Sequence, residues 1–147
     1  MNLSKCCKTY PDIGVFILRV VLGMTFFMHG SQKLFGFFGG GGINSVIGFL
    51  TQLDMPAPIL FAYLLACGEF FGGVCLFFGL FTRFFALVIA FIMLVAIWKV
   101  HWAAGFFGPA GFEFPLSLLA AALTLFFTGS TKWGLDCTSV VKNLCKK

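Results

Sequence analysis

The stretch IGVFILRVVLGMTFFMHGSQKL, from Ile13 to Leu34, is the clearest indication of the fold in this sequence. Its only formal charges are Arg19 and Lys33, and the residues between them are mostly apolar. About 20 apolar residues suffice for a helix to cross the roughly 30 Å hydrocarbon core of a bilayer. The apolar core of a cleaved signal peptide is shorter, at about 7–15 residues. The stretch therefore predicts a retained transmembrane helix.

Three further apolar stretches follow, at residues 59–81, 84–104 and 112–128. Of the 147 residues, 60% are hydrophobic and 10% are charged, whereas soluble domains carry about 25% charged residues. A soluble domain of this length could not bury so many apolar side chains, so we expect lipid to cover them. The pattern predicts an all-α integral membrane protein, a four-transmembrane-helix bundle that forms a single domain over residues 1–147.

A short helix is predicted between the first two spans. The glycine run Gly39–Gly42 interrupts the first apolar pattern and is typical of a flexible connection. After it, apolar residues recur at helical spacing on one face: Ile43, Val46, Ile47, Leu50 and Leu53. We expect this segment to lie at the membrane interface or to dip back into the bundle.

The distribution of positive charge predicts the topology. With the N-terminus in the cytoplasm, most basic residues lie on the cytoplasmic side, where Lys and Arg are enriched. These are Lys5, Lys8, Arg83, Lys132, Lys142, Lys146 and Lys147. Residues 1–12 and 129–147 are then cytoplasmic tails, and only Lys33 and Lys99 lie near the outer face. No basic run is dense enough to indicate a nucleic-acid partner.

Two charged residues fall deep within predicted spans, Arg19 in the first and Glu69 in the second. A charge in the hydrocarbon core costs at least a few kcal/mol, so each needs a partner. Their estimated depths differ by about one side-chain length, which makes an Arg19–Glu69 ion pair feasible. Such a pair would either lock the two helices together or form a proton or substrate site. Glu69, Arg19 and His29 are the candidate catalytic residues.

A second polar group lies near the predicted outer face: His29, Gln32, Lys33, Lys99, His101 and Glu113. These side chains could hydrogen-bond the oxygens of a quinone head group or pass protons. They could also be ordinary interfacial residues with snorkelling lysines. The histidines and the glutamate form no i, i+3 or i, i+4 ligand pair, so we predict no metal site.

The six cysteines give no redox signature, since no C-x-x-C is present. In the predicted topology Cys6, Cys7, Cys137 and Cys145 lie in cytoplasmic tails, where thiols stay reduced. Cys67 and Cys75 lie in the second span and are expected to act as small apolar residues.

Several of these residues stand in the order and spacing of a known family. The chain resembles the DoxX family of small bacterial membrane proteins from about Ile13 to Asp136. The resemblance rests on Arg19 with Gly23, on the segment HGSQKL at 29–34, on Glu69 with Gly72-Gly73 and GLFTR at 79–83, on His101 with the loop to Glu113, and on Thr128-Gly129 with Leu135-Asp136.

The resemblance implies a bacterial inner-membrane location and an association with redox chemistry. It favours a quinone-linked redox component, or a subunit of a membrane oxidoreductase complex, with quinone as the cofactor and His29, Lys33, His101 and Glu113 as its site. The alternative is a non-catalytic membrane subunit that docks a partner enzyme. Partners would then be the lipid bilayer, a redox enzyme, or a second copy of the chain.

Overall fold

The computed structural model describes residues 11–131 and 133–137, and within them it contains helices and no strands. Five α-helices follow in order: α1 Pro11–Phe35, α2 Gly42–Gln52, α3 Pro58–Phe78, α4 Thr82–Ala96 and α5 Glu113–Thr128. After α4 the chain continues through a π-helical turn, Ile97–His101, and a 3-10 turn, Trp102–Ala104. Two more 3-10 turns lie at Phe37–Gly39 and Leu135–Cys137.

Among the described residues, three helical segments are long and apolar enough to cross a membrane: Pro11–Phe35, Pro58–Phe78 and Thr82–Ala104. The protein is therefore a multi-pass membrane protein. Helix α5 is apolar but has only 16 residues, which corresponds to about 24 Å. Large apolar side chains remain exposed along the outer faces of the helices, such as Phe84, Phe91 and Phe127. Lipid is the solvent that suits these faces.

Helices α1 and α3 run antiparallel with their backbones in contact. A Cβ atom added at Gly30 would lie 2.3 Å from the backbone nitrogen of Phe70, and one at Gly23 would lie 2.5 Å from that of Phe77. From the other side, a Cβ at Gly73 would lie 2.2 Å from the nitrogen of Phe27. Glycines permit this approach, and close packing drives helix association where lipid supplies no hydrophobic force.

The other helices complete the bundle. Leu76 of α3, Ile89 of α4 and Leu125 of α5 are fully buried in one core that also includes Phe26 of α1. A Cβ at Gly72 would meet the Ile89 side chain of α4 at 3.2 Å, whereas Gly73 faces α1. The glycines of α3 therefore serve two different helix contacts.

Helix α2 lies where the sequence predicts a short amphipathic helix. Val46 and Leu50 are buried against Ala62 of α3, with Ile43, Ile47 and Leu53 around them. In the preceding glycine run, a Cβ at Gly40 would lie 2.5 Å from the carbonyl oxygen of Gln32. The run thus folds tightly back on α1, which holds α2 over one end of the bundle.

Polar contacts fasten the opposite end. The Arg19 guanidinium donates hydrogen bonds to the carbonyl oxygens of Leu76 (2.8 Å) and Phe77 (2.6 Å), in the last turn of α3, and of Trp133 (3.1 Å). The Asp136 carboxylate accepts from the backbone N–H groups of Phe81 (2.6 Å) and Thr82 (2.9 Å), at the start of α4. A cation thus caps one helix C-terminus and an anion the next N-terminus, as the helix dipoles favour.

Candidate functional site

A cavity of about 490 Å³ lies at the α2 end of the bundle and is lined by residues from all five described helices. Its polar side chains are His29, Gln32 and Lys33 of α1, Ser45 of α2, Glu69 of α3 and His101 of the π turn. Apolar side chains form most of the remaining wall, among them Phe26, Leu65, Met93 and Leu118. A mostly apolar pocket with a few convergent polar groups is the usual form of a small-molecule site.

The central polar contact is an ion pair between Lys33 and Glu69. The Lys33 ammonium donates a hydrogen bond to Glu69 Oε1. The Glu69 side chain is 3% exposed and that of Lys33 28% exposed, so the pair reaches from the core to the cavity mouth. The second carboxylate oxygen, Oε2, has no hydrogen-bond partner among the described residues. A buried acceptor left in this way costs about 1–3 kcal/mol.

This contact corrects the predicted Arg19–Glu69 pair, which is wrong. Because Gly30 faces Phe70 across the α1–α3 contact, Glu69 lies level with Ser31. It is therefore two residues from Lys33 along α1 but twelve from Arg19, a separation of about 18 Å. The depth estimate assumed that the inner ends of the two apolar segments lie level with each other. They do not, because the N-terminal part of α1 extends well past the C-terminal end of α3. Arg19 lies outside the cavity.

His101 reaches the cavity through the π turn. Such wide turns are rare and often occur at functional sites. The His101 Nδ1 atom lies 2.7 Å from the carbonyl oxygen of Ala110, so the ring also holds the loop between α4 and α5. On the outside of the same turn, the Lys99 ammonium lies 4.5 Å from the centre of the Trp98 ring. Lys99 does not line the cavity.

The predicted quinone-site residues are thus not all placed together. His29, Lys33 and His101 line the cavity, and His29 is exposed at its edge. Glu113 does not line it, although its neighbours Phe114 and Pro115 do. Sequence reasoning missed Ser45, since a lone serine on a short helix carries no signal until α2 is placed over the pocket.

The described residues contain no cluster of three or more His, Cys, Asp or Glu side chains that could hold a metal ion. Cys67 and Cys75 are free thiols on α3. Cys6, Cys7 and Cys145 lie outside the described residues, as do the predicted cytoplasmic lysines of both tails.

The comparison with known proteins identifies the family. The DoxX family model matches residues 14–102, a segment that includes most of α1, all of α2 to α4 and the cavity residues His29, Lys33, Glu69 and His101. This chain belongs to the DoxX family. The DoxX protein is also 38% identical over 125 residues to "Putative oxidoreductase CatD" of Bacillus subtilis (strain 168), a match that covers 85% of this chain and 86% of that protein. No solved structure matches the chain.

The motifs that carried the family resemblance divide between the two ends of this DoxX protein. His29, Lys33 and Glu69 surround the cavity at one end. Arg19 and Asp136 fasten helix termini at the other, where a Cβ at Gly79 would lie 2.8 Å from the Arg19 guanidinium. One set of motif residues therefore builds the pocket, and the other holds the helices that position it.

Proposed function

We propose that this DoxX protein is a quinone-linked redox component of the bacterial inner membrane, working with a partner redox enzyme. The observation that carries the proposal is the cavity with the buried Lys33–Glu69 pair. Its mostly apolar wall suits the ring and the apolar tail of a quinone that enters from the lipid. Its polar groups come from α1, α2, α3 and the π turn, and suit the oxygens of a head group.

The cavity residues have distinct roles in this proposal. Lys33 and His29 bind and orient the head group, since both can donate hydrogen bonds at the pocket edge. Glu69 holds Lys33 in place and offers its second carboxylate oxygen to the ligand. His101, held by the Ala110 carbonyl, supplies a further polar contact. A bound quinone would carry two electrons and two protons, and the electrons would come from the partner enzyme.

The membrane arrangement is part of the proposal. We place four spans in the bilayer, with α5 nearly upright as the last, because its exposed side chains Phe114, Leu116, Leu123 and Phe127 are apolar. Helix α2 then lies at the outer interface, over the cavity. The positive-inside rule places both termini in the cytoplasm, so the Arg19 and Asp136 contacts face inward and the cavity faces outward.

The alternative function is a non-catalytic subunit that docks a partner enzyme. This function is suggested by the loop between α4 and α5, where the Phe107 side chain is 78% exposed. The Lys33–Glu69 pair would then serve only to join α1 to α3. In that case the protein should co-purify with a partner, and breaking the pair should lower the yield of folded protein.

The deciding measurement is the amount of quinone bound per polypeptide after purification in mild detergent and extraction with organic solvent. We expect near-stoichiometric quinone in the wild-type protein and a large loss in His29→Ala and in Glu69→Gln. Lys99→Ala is the matched control, because it removes a cation near the same face that does not line the cavity.

The outcomes separate the two functions. Wild-type quinone content in both cavity variants would reject this site. An absence of quinone from well-folded protein would favour partner docking. A stable Glu69→Ala variant with unchanged membrane yield would count against the docking function, because that function gives the pair a purely structural role.

A further inference from the structure

We propose that the cavity binds the reduced, hydroxyl-bearing quinol form of its ligand more tightly than the quinone form. This inference rests on the proposed function and adds to it the redox state that the site prefers. A binding site can distinguish the two forms by the hydrogen bonds of their ring oxygens. A quinol ring has O–H groups that donate hydrogen bonds, whereas the carbonyl oxygens of a quinone only accept.

The preference comes first from Glu69. Its carboxylate is buried at the cavity wall, Lys33 occupies Oε1, and Oε2 has no hydrogen-bond partner among the described residues. The Lys33 ammonium donates to this carboxylate, whose oxygens act as hydrogen-bond acceptors. A quinol hydroxyl would give this oxygen a charge-assisted O–H···O⁻ bond, which is stronger than a bond between neutral groups. A quinone carbonyl at the same place would bring two acceptors together.

His101 adds a second acceptor. Its Nδ1 lies 2.7 Å from the Ala110 carbonyl oxygen, which can only accept, so Nδ1 carries the hydrogen. In the neutral ring the other nitrogen, Nε2, is then an acceptor. The loop that holds His101 therefore sets the same preference for a hydroxyl donor.

Lys33 does not oppose this preference. Its ammonium has three hydrogens, and one is used on Glu69. The others can donate to a quinone carbonyl or to the oxygen of a quinol hydroxyl, so Lys33 contributes to the binding of both forms. The discrimination between them lies with the acceptors, and chiefly with Glu69.

The test compares the dissociation constants of decylbenzoquinol and decylbenzoquinone for the purified full-length protein under anaerobic conditions. We expect the quinol to bind about tenfold more tightly or better, because charge-assisted hydrogen bonds are about twice as strong as neutral ones. By linkage, each tenfold preference raises the midpoint potential of the bound couple by about 30 mV. A tailless benzoquinol in parallel shows whether the ligand is drawn from the membrane pool or from water.

Variants assign the preference to the residue. In Glu69→Gln the side-chain amide can donate to a carbonyl, so we expect the ratio of the two dissociation constants to fall to about one or to invert. Glu69→Asp keeps a carboxylate and should keep a preference for the quinol. Lys99→Ala should leave the ratio unchanged.

The wild-type comparison tests the inference even if a variant fails to fold. Equal binding of the two forms, or tighter binding of the quinone, overturns the inference and leaves the proposed quinone site standing. If neither form binds to folded protein, the proposed function fails and the inference fails with it.

Discussion

Arg19 and Glu69 are both buried charged residues, and they have different kinds of partner. Arg19, which is 1% exposed, gives its hydrogen bonds to carbonyl oxygens at the end of α3. Helix C-termini leave such carbonyls without partners, and a cation there is favoured by the helix dipole. Glu69 instead forms an ion pair with Lys33, which lies at the cavity mouth. The contacts of Arg19 are structural, and those of Glu69 face the pocket.

Replacing Arg19 should therefore affect stability and not ligand binding. Hydrogen bonds to charged groups contribute about 1.5–3 kcal/mol, so Arg19→Met should destabilise the protein by roughly 3 kcal/mol and lower its thermal unfolding midpoint in detergent. Arg83→Met is the control, since Arg83 is exposed and its contact to the Phe127 carbonyl is long, at 3.5 Å. An Arg19→Met protein of wild-type stability that has lost its quinone would return Arg19 to the candidate catalytic residues.

At the scale of elements, the contact between α1 and α3 sets the geometry of the site. Gly23, Gly30 and Gly73 bring the two backbones together and leave almost no freedom to slide. That register places Lys33 beside Glu69 and brings Arg19 past the last turn of α3. The π turn after α4 has a comparable role, because it brings His101 to the cavity while Trp98 and Lys99 remain outside.

A methyl group in this contact should separate the helices. In Gly73→Ala the new Cβ would lie 2.2 Å from the backbone nitrogen of Phe27, and backbone cannot move aside as a flexible side chain can. Overpacking of this kind costs about 1–3 kcal/mol, and the Lys33–Glu69 pair should weaken as the helices part. The unfolding midpoint and the quinone content should both fall.

Gly14→Ala provides the matched control for that experiment. Gly14 lies in α1, and a Cβ there would meet no atom within 4 Å. Alanine is a better helix former than glycine, so the control should be neutral or slightly stabilising. Equal effects of the two substitutions would mean that the α1–α3 contact is not as close as described.

For the molecule as a whole, the described helices form one bundle whose two ends differ. One end is closed by Arg19, Asp136 and the turn between α3 and α4. The other end opens into the cavity beneath α2. If the termini are cytoplasmic, as proposed, the closed end faces the cytoplasm and the cavity is reached from the outer half of the bilayer.

The proposed topology can be checked with single cysteines in a background that lacks the six native ones. A membrane-impermeant maleimide should label Phe107→Cys in intact cells, because the α4–α5 loop would be outside. It should label Arg83→Cys only after permeabilisation, because the α3–α4 turn would be inside. Both positions are exposed in the structure.

A C-terminal green fluorescent protein completes the topology test. It should fluoresce, since the fusion folds in the cytoplasm, and external labelling at residue 107 would then require α5 to cross the membrane. Labelling with the two cysteines reversed would overturn the orientation. A dark fusion on a protein labelled at residue 107 would overturn the fourth span.

The amino-acid sequence alone predicts a helical membrane protein of the DoxX family, and it indicates His29, Lys33, Glu69 and His101 as candidate site residues. The length and apolarity of a segment are local properties, so membrane spans such as Ile13–Leu34 can be predicted directly from the sequence. The amphipathic segment before α3 was predicted in the same way, from spacing alone.

The pairing of the charged residues, in contrast, depends on how the helices pack in three dimensions. The partner of Glu69 depends on how far α1 slides along α3, and backbone contacts at three glycines set that register. The role of Asp136 at the start of α4 likewise joins residues more than 50 positions apart. Such contacts depend on the packing of whole helices, whereas apolar length and periodicity depend only on neighbours in the chain.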